Sequence, residues 1–437
     1  MSYDIIIIGS GPAGYVAAIR AGQTGLKTLI IDKKYVGGMC LNWGCIPTKS
    51  ILESAKLFNR IKNSAAEFGI GGYNPAELSF DWNQAVKRSK GIVQKLSRGI
   101  EYLWKKNGVE FLQAEAKIVS PHEVEADNRI YTTKNIIIAT GSRPVKQSLF
   151  PEAIELEDFF KLDRLPEKPI LYGRGAIILE FAQLFSMLGK SPTIISNGSP
   201  LIPKLDAHLE AYVVRKLKKD KIAVISDADI SIDKKGVHHG DSLLEYDAVI
   251  NCSLREAVLI DSNVKIELLD GYIKTDEHYQ TSIQGIFAAG DVNGHSYLAH
   301  AASAQGLSII NFINGIDDST AVAYPINIYS DPEIAQLGVT ETELKESGIE
   351  YQVKEMPLIA NGKALAEGAS EGFIRLLFES KYRQVLGVQI VAANATDLIS
   401  EAGILLELEG TVYDLARTVH AHPTIAEVFM DVAKDIE

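Results

Sequence analysis

Short apolar runs punctuate the chain at residues 4–8, 27–31, 135–138, 169–172, 193–195, 248–252 and 285–288. An aliphatic run with little polar interruption suits a strand covered on both faces. Helical spacing between the runs makes them parallel strands of α/β units. Two runs lead straight into glycine-rich turns, Gly9-Ser10-Gly11-Pro12-Ala13-Gly14 and Gly173-Arg174-Gly175-Ala176-Ile177-Ile178. The same strand–turn–helix unit occurring twice predicts two nucleotide-binding folds in tandem. Beyond Tyr324 the pattern changes: GFIRLLFES and VLGVQIV alternate as half-buried strands do, and residues 398–408 read as an apolar helix. The expected class is α/β, with two tandem Rossmann-like domains and an α+β C-terminal domain.

The first turn has the context that gives its glycines meaning. Gly9 permits the tight turn, Gly11 lets the backbone approach a pyrophosphate, and Gly14 lets helix and strand pack closely. A helix over residues 15–21, with Pro12 and Ala13 at its start, would offer free N–H groups to phosphates. Asp32 ends the next strand, where a carboxylate can accept hydrogen bonds from a ribose diol. Two later segments fit the same site. One is ATGSRP (139–144), and the other is GIFAAGD, ending at Asp291, which could bond the ribityl chain of FAD.

Composition narrows the classes. A length of 437 residues exceeds one compact domain, and 46% hydrophobic with 23% charged residues supplies an ample core. The net charge of -12 argues against nucleic acid and anionic membranes, which call for basic patches. No apolar run approaches a membrane span, and the N-terminus opens on a strand; no signal peptide and a cytoplasmic location are expected. Three cysteines make no disulfide framework.

Two of those cysteines, Cys40 and Cys45, lie in GGMCLNWGCIPTKS, shortly after the first turn. Buried apolar thiols or half a zinc site are the plain alternatives. Zinc needs further ligands, and the only other cysteine, Cys252, falls in an expected core strand, so no metal is expected. A redox disulfide fits better, because Gly44-Cys45 opens a helical stretch whose N-terminus favours a thiolate. Lys49, one turn on, adds a cation that would favour a thiolate or a negatively charged reduced flavin.

With these segments the chain resembles the flavoprotein disulfide reductases (class I pyridine nucleotide-disulfide oxidoreductases), and within them most closely the dihydrolipoamide dehydrogenases. The resemblance runs nearly end to end. It is carried by GSGPAGYVAAIRAGQTG, GGMCLNWGCIPTKS, ATGSRP, AAGDVNG, YSDPEIAQLGVT and HAHPTIAEVF. It implies an FAD-binding domain in two parts (1–146 and 271–322), an NAD-binding-like domain (147–270) and an interface domain (323–437). It implies that Cys40 exchanges disulfides with substrate and Cys45 lies against the flavin as a charge-transfer thiolate. His422 and Glu427 match the family's acid–base pair, contributed across a homodimer. Histidine chemistry agrees: an imidazole titrating near neutrality can take a dithiol proton and return it, and a carboxylate fixes its tautomer. His420 is the competing candidate, disfavoured by its spacing to Glu427. Lys33, Gly38, Thr140, Gly141, Gly290 and Ala299 join the flavin site by the same resemblance, and Glu180 is expected to pair with Lys49 beside the ring.

The second turn departs from the pattern. Gly173 and Gly175 are present, but Ile178 replaces the third glycine and Arg174 stands between the first two. The next strand ends in Ser196-Asn197, with no acid for an NAD ribose and no arginine for an NADP phosphate. SLREA (253–257) replaces a GRxPN-like turn, with Leu254 at the glycine position, and residues 144–165 are compressed. NAD is therefore left open, with Arg174 or Arg255 as ligands to a 2′-phosphate if NADP binds. The leading expectation is oxidation of dihydrolipoyl groups on a lipoyl carrier protein, with electrons passing to FAD and then to NAD+ or another acceptor. An NAD(P)H-dependent reductase of low-molecular-weight disulfides and a structural FAD-containing subunit of a 2-oxoacid dehydrogenase complex are the alternatives.

Overall fold

The isoleucine run after Asp4 becomes the central strand β1 (Ser2–Ile8) of an eight-stranded sheet. In the computed structural model, which describes residues 2–233, 235–316 and 323–436, Ile5, Ile6 and Ile7 have no exposed surface. Helix α1 (Pro12–Gln23) crosses from β1 to β2 (Thr28–Asp32), which pairs in parallel with β1. The short helix α2 (Gly38–Asn42) and the long α3 (Cys45–Ser64) follow, then α4 (Trp82–Lys106) and β3 (Glu110–Gln113), which extends the sheet beside β2. An antiparallel meander, β4 (Ala116–Ser120), β5 (Glu123–Ala126) and β6 (Arg129–Ile138), brings the last strand back parallel to β1. Then come β7 (Ser142–Pro144) and the one-turn α5 (Leu156–Phe159).

Packing divides the chain into two units. One contains Met1–Ser54, Ser79–Leu165 and Leu254–Ala321, and the other Ala55–Leu78, Pro166–Ser253 and Val322–Glu437. The chain thus changes unit after Leu165 and after Ser253, whereas the sequence suggests boundaries at 146/147 and 270/271. Contacts within the first unit account for the difference. Trp82 donates from its indole to the Leu162 carbonyl at 2.7 Å, and its ring meets Phe159 edge-on at 5.3 Å. On the return, Arg255–Ala257 pairs with β7 and Asp261–Ser262 with β4. The third expected boundary abuts residues 317–322, outside the described residues.

The second unit holds a four-stranded parallel sheet of β8 (Pro169–Gly173), β9 (Thr193–Ser196), β10 (Ala223–Ser226) and Ala248–Cys252. Helix α6 (Ala176–Met187) joins β8 to β9, and α7 (Ala207–Lys219) joins β9 to β10. Its C-terminal part is a five-stranded antiparallel sheet containing Phe373–Glu379 and Val385–Ala392, with the helix Ala395–Glu407. Both strands lie where the alternating pattern puts them, and the helix begins three residues before the expected apolar stretch.

One cation is buried in that last sheet. Arg375, 7% exposed, bonds Glu341 through Nη2 and Gln389 Oε1 through Nη1 at 3.1 Å, with Asp206 at 3.7 Å. The guanidinium holds the Glu341 carboxyl down at about 2, from an ordinary 4.5. Removing one partner leaves buried charge uncompensated, so Arg375→Met should cost about 3–5 kcal/mol. The folded-state carboxyl being depressed, the pair's contribution is whole above pH 4.5 and fades as pH falls toward 2. Thermal midpoints of wild type and variant should therefore converge below pH 4.5.

Candidate active site

The first glycine turn is built around close approaches. A Cβ on Gly14 would lie 1.9 Å from the Gly9 carbonyl oxygen, so only glycine lets α1 settle against the end of β1. Gly11, by contrast, has nothing within 4 Å of a would-be Cβ; it faces open space at the start of α1, where backbone N–H groups are free. That space is one elongated cleft. Toward one end it is lined by Gly11, Pro12, Ala13, Cys40, Cys45, Gly141, Gly290, Asp291 and Ala299. Toward the other it is lined by Lys33, Lys34, Tyr35 and Glu157, and Gly9, Asp32, Gly38 and Thr140 border both ends. The flavin-site residues expected from sequence, Gly14, Lys49 and Glu180 aside, thus line a single cleft; Gly14 lies behind it as a packing position.

Two carboxylates in the cleft are held by neighbours that the sequence reading did not assign to them. Asp32 Oδ2 accepts from the Ser10 amide (2.7 Å) and hydroxyl (2.8 Å), and Oδ1 from the Lys34 amide (2.8 Å). Asp291 Oδ2 accepts from the Ser142 hydroxyl, which in turn accepts from Arg255 Nε at 2.7 Å. Burial pushes the Asp291 carboxyl up, and Ser142 and Arg255 pull it back. Arg255 also donates to the Ser142 carbonyl (2.6 Å) and stands over the Trp43 ring at 5.8 Å. Its guanidinium is thus engaged on Ser142 and lies 3.9 Å from Asp291 within the first unit. Ser142 was visible in ATGSRP and Arg255 in SLREA, but their contact carried no signal, because the two are distant in sequence.

Cys40 and Cys45 form a disulfide, with Cα atoms 4.7 Å apart. Cys40 is carried by α2, and Cys45 is the first residue of α3. Trp43 and Gly44 bridge the two helices, and both cysteines border the cleft. Cys252 is buried and takes no part in a disulfide.

His422 and Glu427 come together as expected: Nδ1 is 2.9 Å from Glu427 Oε1. The Thr424 amide donates to the other carboxylate oxygen at 2.8 Å. That amide, and then His422, hold the Glu427 carboxyl below its ordinary range. The imidazole is 82% exposed, and with Nδ1 engaged, Nε2 is the nitrogen for proton exchange. His420 differs more than spacing suggested. Its ring is 6% exposed, with Nε2 at 2.7 Å from Glu401 and Nδ1 at 3.1 Å from the Thr418 carbonyl. Both of its nitrogens are committed.

Lys49 lies on α3, and Glu180 is buried on α6, accepting from the Tyr329 amide at 3.1 Å. Gly173 and Gly175 flank Arg174 in the turn before α6.

Comparison with known proteins agrees with this geometry. Residues 3–306 match the family described as pyridine nucleotide-disulphide oxidoreductase, and residues 324–433 match its dimerisation domain. The dihydrolipoyl dehydrogenase of Mycoplasma pneumoniae is 35% identical over 99% of this chain and 98% of its own. That of Chlorobaculum tepidum is 36% identical over 99% and 97%, and the mitochondrial enzyme of Pisum sativum 33% over 98% and 90%. Among solved structures, LpdA of Mycobacterium tuberculosis superposes with a TM-score of 0.88 over 99% of both chains, at 23% identity, a likeness of fold. The chain belongs to the pyridine nucleotide-disulphide oxidoreductase family.

Proposed function

We propose that this chain is a dihydrolipoyl dehydrogenase that oxidises dihydrolipoyl groups on a carrier protein, with FAD in the first cleft. The observation that carries the reading is the Cys40–Cys45 disulfide on the border of a glycine-lined cleft. The cleft suits the cofactor. Gly11 is open for a pyrophosphate at the start of α1, Asp32 stands at the strand end for a ribose, and Asp291 reaches the space beyond. Bound there, FAD supplies a two-electron acceptor for the dithiol.

The thiol chemistry belongs to the chain itself. A substrate thiolate attacks Cys40 Sγ, which breaks the bond to Cys45 and leaves a mixed disulfide on Cys40. Cys45 departs as a thiolate at the first turn of α3, where unpaired N–H groups favour negative charge. The second substrate thiol then attacks the substrate sulfur of the mixed disulfide and releases Cys40, giving the oxidised lipoyl disulfide. His422 takes the proton at Nε2 while Glu427 fixes the ring through Nδ1. In a homodimer, which the match to a dimerisation domain supports, this pair would serve the partner's dithiol. A cytoplasmic site of action goes with this reading; among the described residues no helix is long and apolar enough to cross a membrane.

Purified protein should be yellow with about one FAD per chain, and it should oxidise dihydrolipoamide with an artificial dye as acceptor. Colourless protein that cannot be reconstituted with FAD would overturn the reading. Faster turnover on glutathione disulfide than on lipoamide would shift it to a small-disulfide reductase.

A further inference from the structure

The two glycine turns share their opening spacing and a first glycine at positive φ pressed against neighbouring backbone, and they differ beyond it. In the first, Ser10 stands between the glycines and ties the turn to Asp32 at the end of β2, with hydrogen bonds of 2.7 and 2.8 Å. Gly11 caps α1 at φ -66°, and Gly14 lies against Gly9 with no room for a side chain. Turn, helix and strand-end acid together make the seat of an adenosine and its pyrophosphate.

Each of those positions is altered in the second turn. Ile178 stands where Gly14 does, and it is fully buried. A side chain there rules out the approach seen at Gly14, and the helix start differs accordingly: Gly175 caps α6 at φ 109°. Arg174 stands where Ser10 does. It spans from the turn to the loop after β9, so that a Cβ on Gly198 would lie 3.1 Å from Arg174 Nη1 and 3.4 Å from Cζ. In the first turn the equivalent space holds the Ser10–Asp32 contact, where a ribose diol would bond. Ser196, at the Asp32 position, donates its hydroxyl to the Gly198 carbonyl at 2.6 Å. The next carboxylates along the chain are committed elsewhere. Asp206 accepts from the amides of His208 (2.9 Å) and Glu341 (2.8 Å), and Glu210 from that of Leu201 (2.7 Å).

We propose that the second nucleotide-binding fold has lost its dinucleotide, so that neither NAD(H) nor NADP(H) binds there. The fold is retained as a support. Helix α6 buries Glu180 and Gln183 to hold the segment ahead of the Glu333–Gly338 strand: Glu180 accepts from the Tyr329 amide at 3.1 Å and Gln183 from the Asp331 amide at 2.7 Å. This second-site claim does not depend on which dithiol the enzyme oxidises, and it is read by binding instead of turnover.

The test is calorimetric titration of the FAD-loaded protein with NADH and with NADPH. No saturable binding is expected up to about 1 mM, the upper end of ordinary enzyme–substrate affinities. Saturable binding of either nucleotide below that concentration overturns the proposal; NADPH alone would make Arg174 a 2′-phosphate ligand. Arg174→Gly/Ile178→Gly should bind NADH at least about tenfold more tightly than wild type. Because Ile178→Gly opens a cavity, Arg174→Ala serves as a second variant, with a smaller gain expected. If neither variant gains affinity while FAD content and visible spectrum are unchanged, the assignment to these two side chains is wrong.

Discussion

Cys40→Ser should abolish dihydrolipoamide oxidation while retaining a long-wavelength absorption band, and Cys45→Ser should abolish both. Either change removes the disulfide, and losing a covalent nucleophile costs roughly three orders of magnitude or more in turnover. Turnover alone therefore cannot separate the two roles, but the spectrum can. Cys45 opens the 20-residue helix α3, where N–H groups stabilise a thiolate, and in the proposed function that thiolate is the donor to an adjoining flavin. Cys40, on the short helix α2, is in the same proposal the sulfur that meets the substrate. The reverse spectral pattern would mean that the two roles are exchanged.

His422→Ala should slow dithiol oxidation by about two to four orders of magnitude, the usual worth of a positioned general base. His420→Ala should leave the rate within about threefold, because both of its ring nitrogens are held, one by Glu401 and one by the Thr418 carbonyl. Glu427→Gln should fall between the two, since an amide can keep a hydrogen bond to Nδ1 but not the charge that stabilises imidazolium. Its effect should appear as a shifted pH–rate profile as well as a lower rate. Equal losses at His420 and His422 would contradict the assignment.

What was legible in sequence was whatever is local. The strand over Ser2–Ile8, the turn that follows it, the disulfide and the His422–Glu427 pair each depend on residues a few positions apart or on an uninterrupted apolar run. The places where the chain changes unit were less legible. They depend on contacts such as Trp82 with Leu162, and on the pairing of Arg255–Ala257 with β7, residues far apart in the chain and without a local signature. The cluster of Arg255, Ser142 and Asp291 was hidden for the same reason: a buried arginine and an exposed one look alike in sequence. The second turn shows the converse. Its departures could be counted from residues alone, but that Arg174 lies against Gly198 could not.

The central claim is that electrons enter from a dihydrolipoyl dithiol at Cys40–Cys45 beside a flavin. Its most direct test is anaerobic mixing of the FAD-loaded protein with one equivalent of dihydrolipoamide, with no nicotinamide present, followed through the visible spectrum. The account predicts prompt growth of the long-wavelength band, release of lipoamide, and two new thiols per chain. A spectrum unmoved by dihydrolipoamide, in protein that dithionite still reduces, would contradict it.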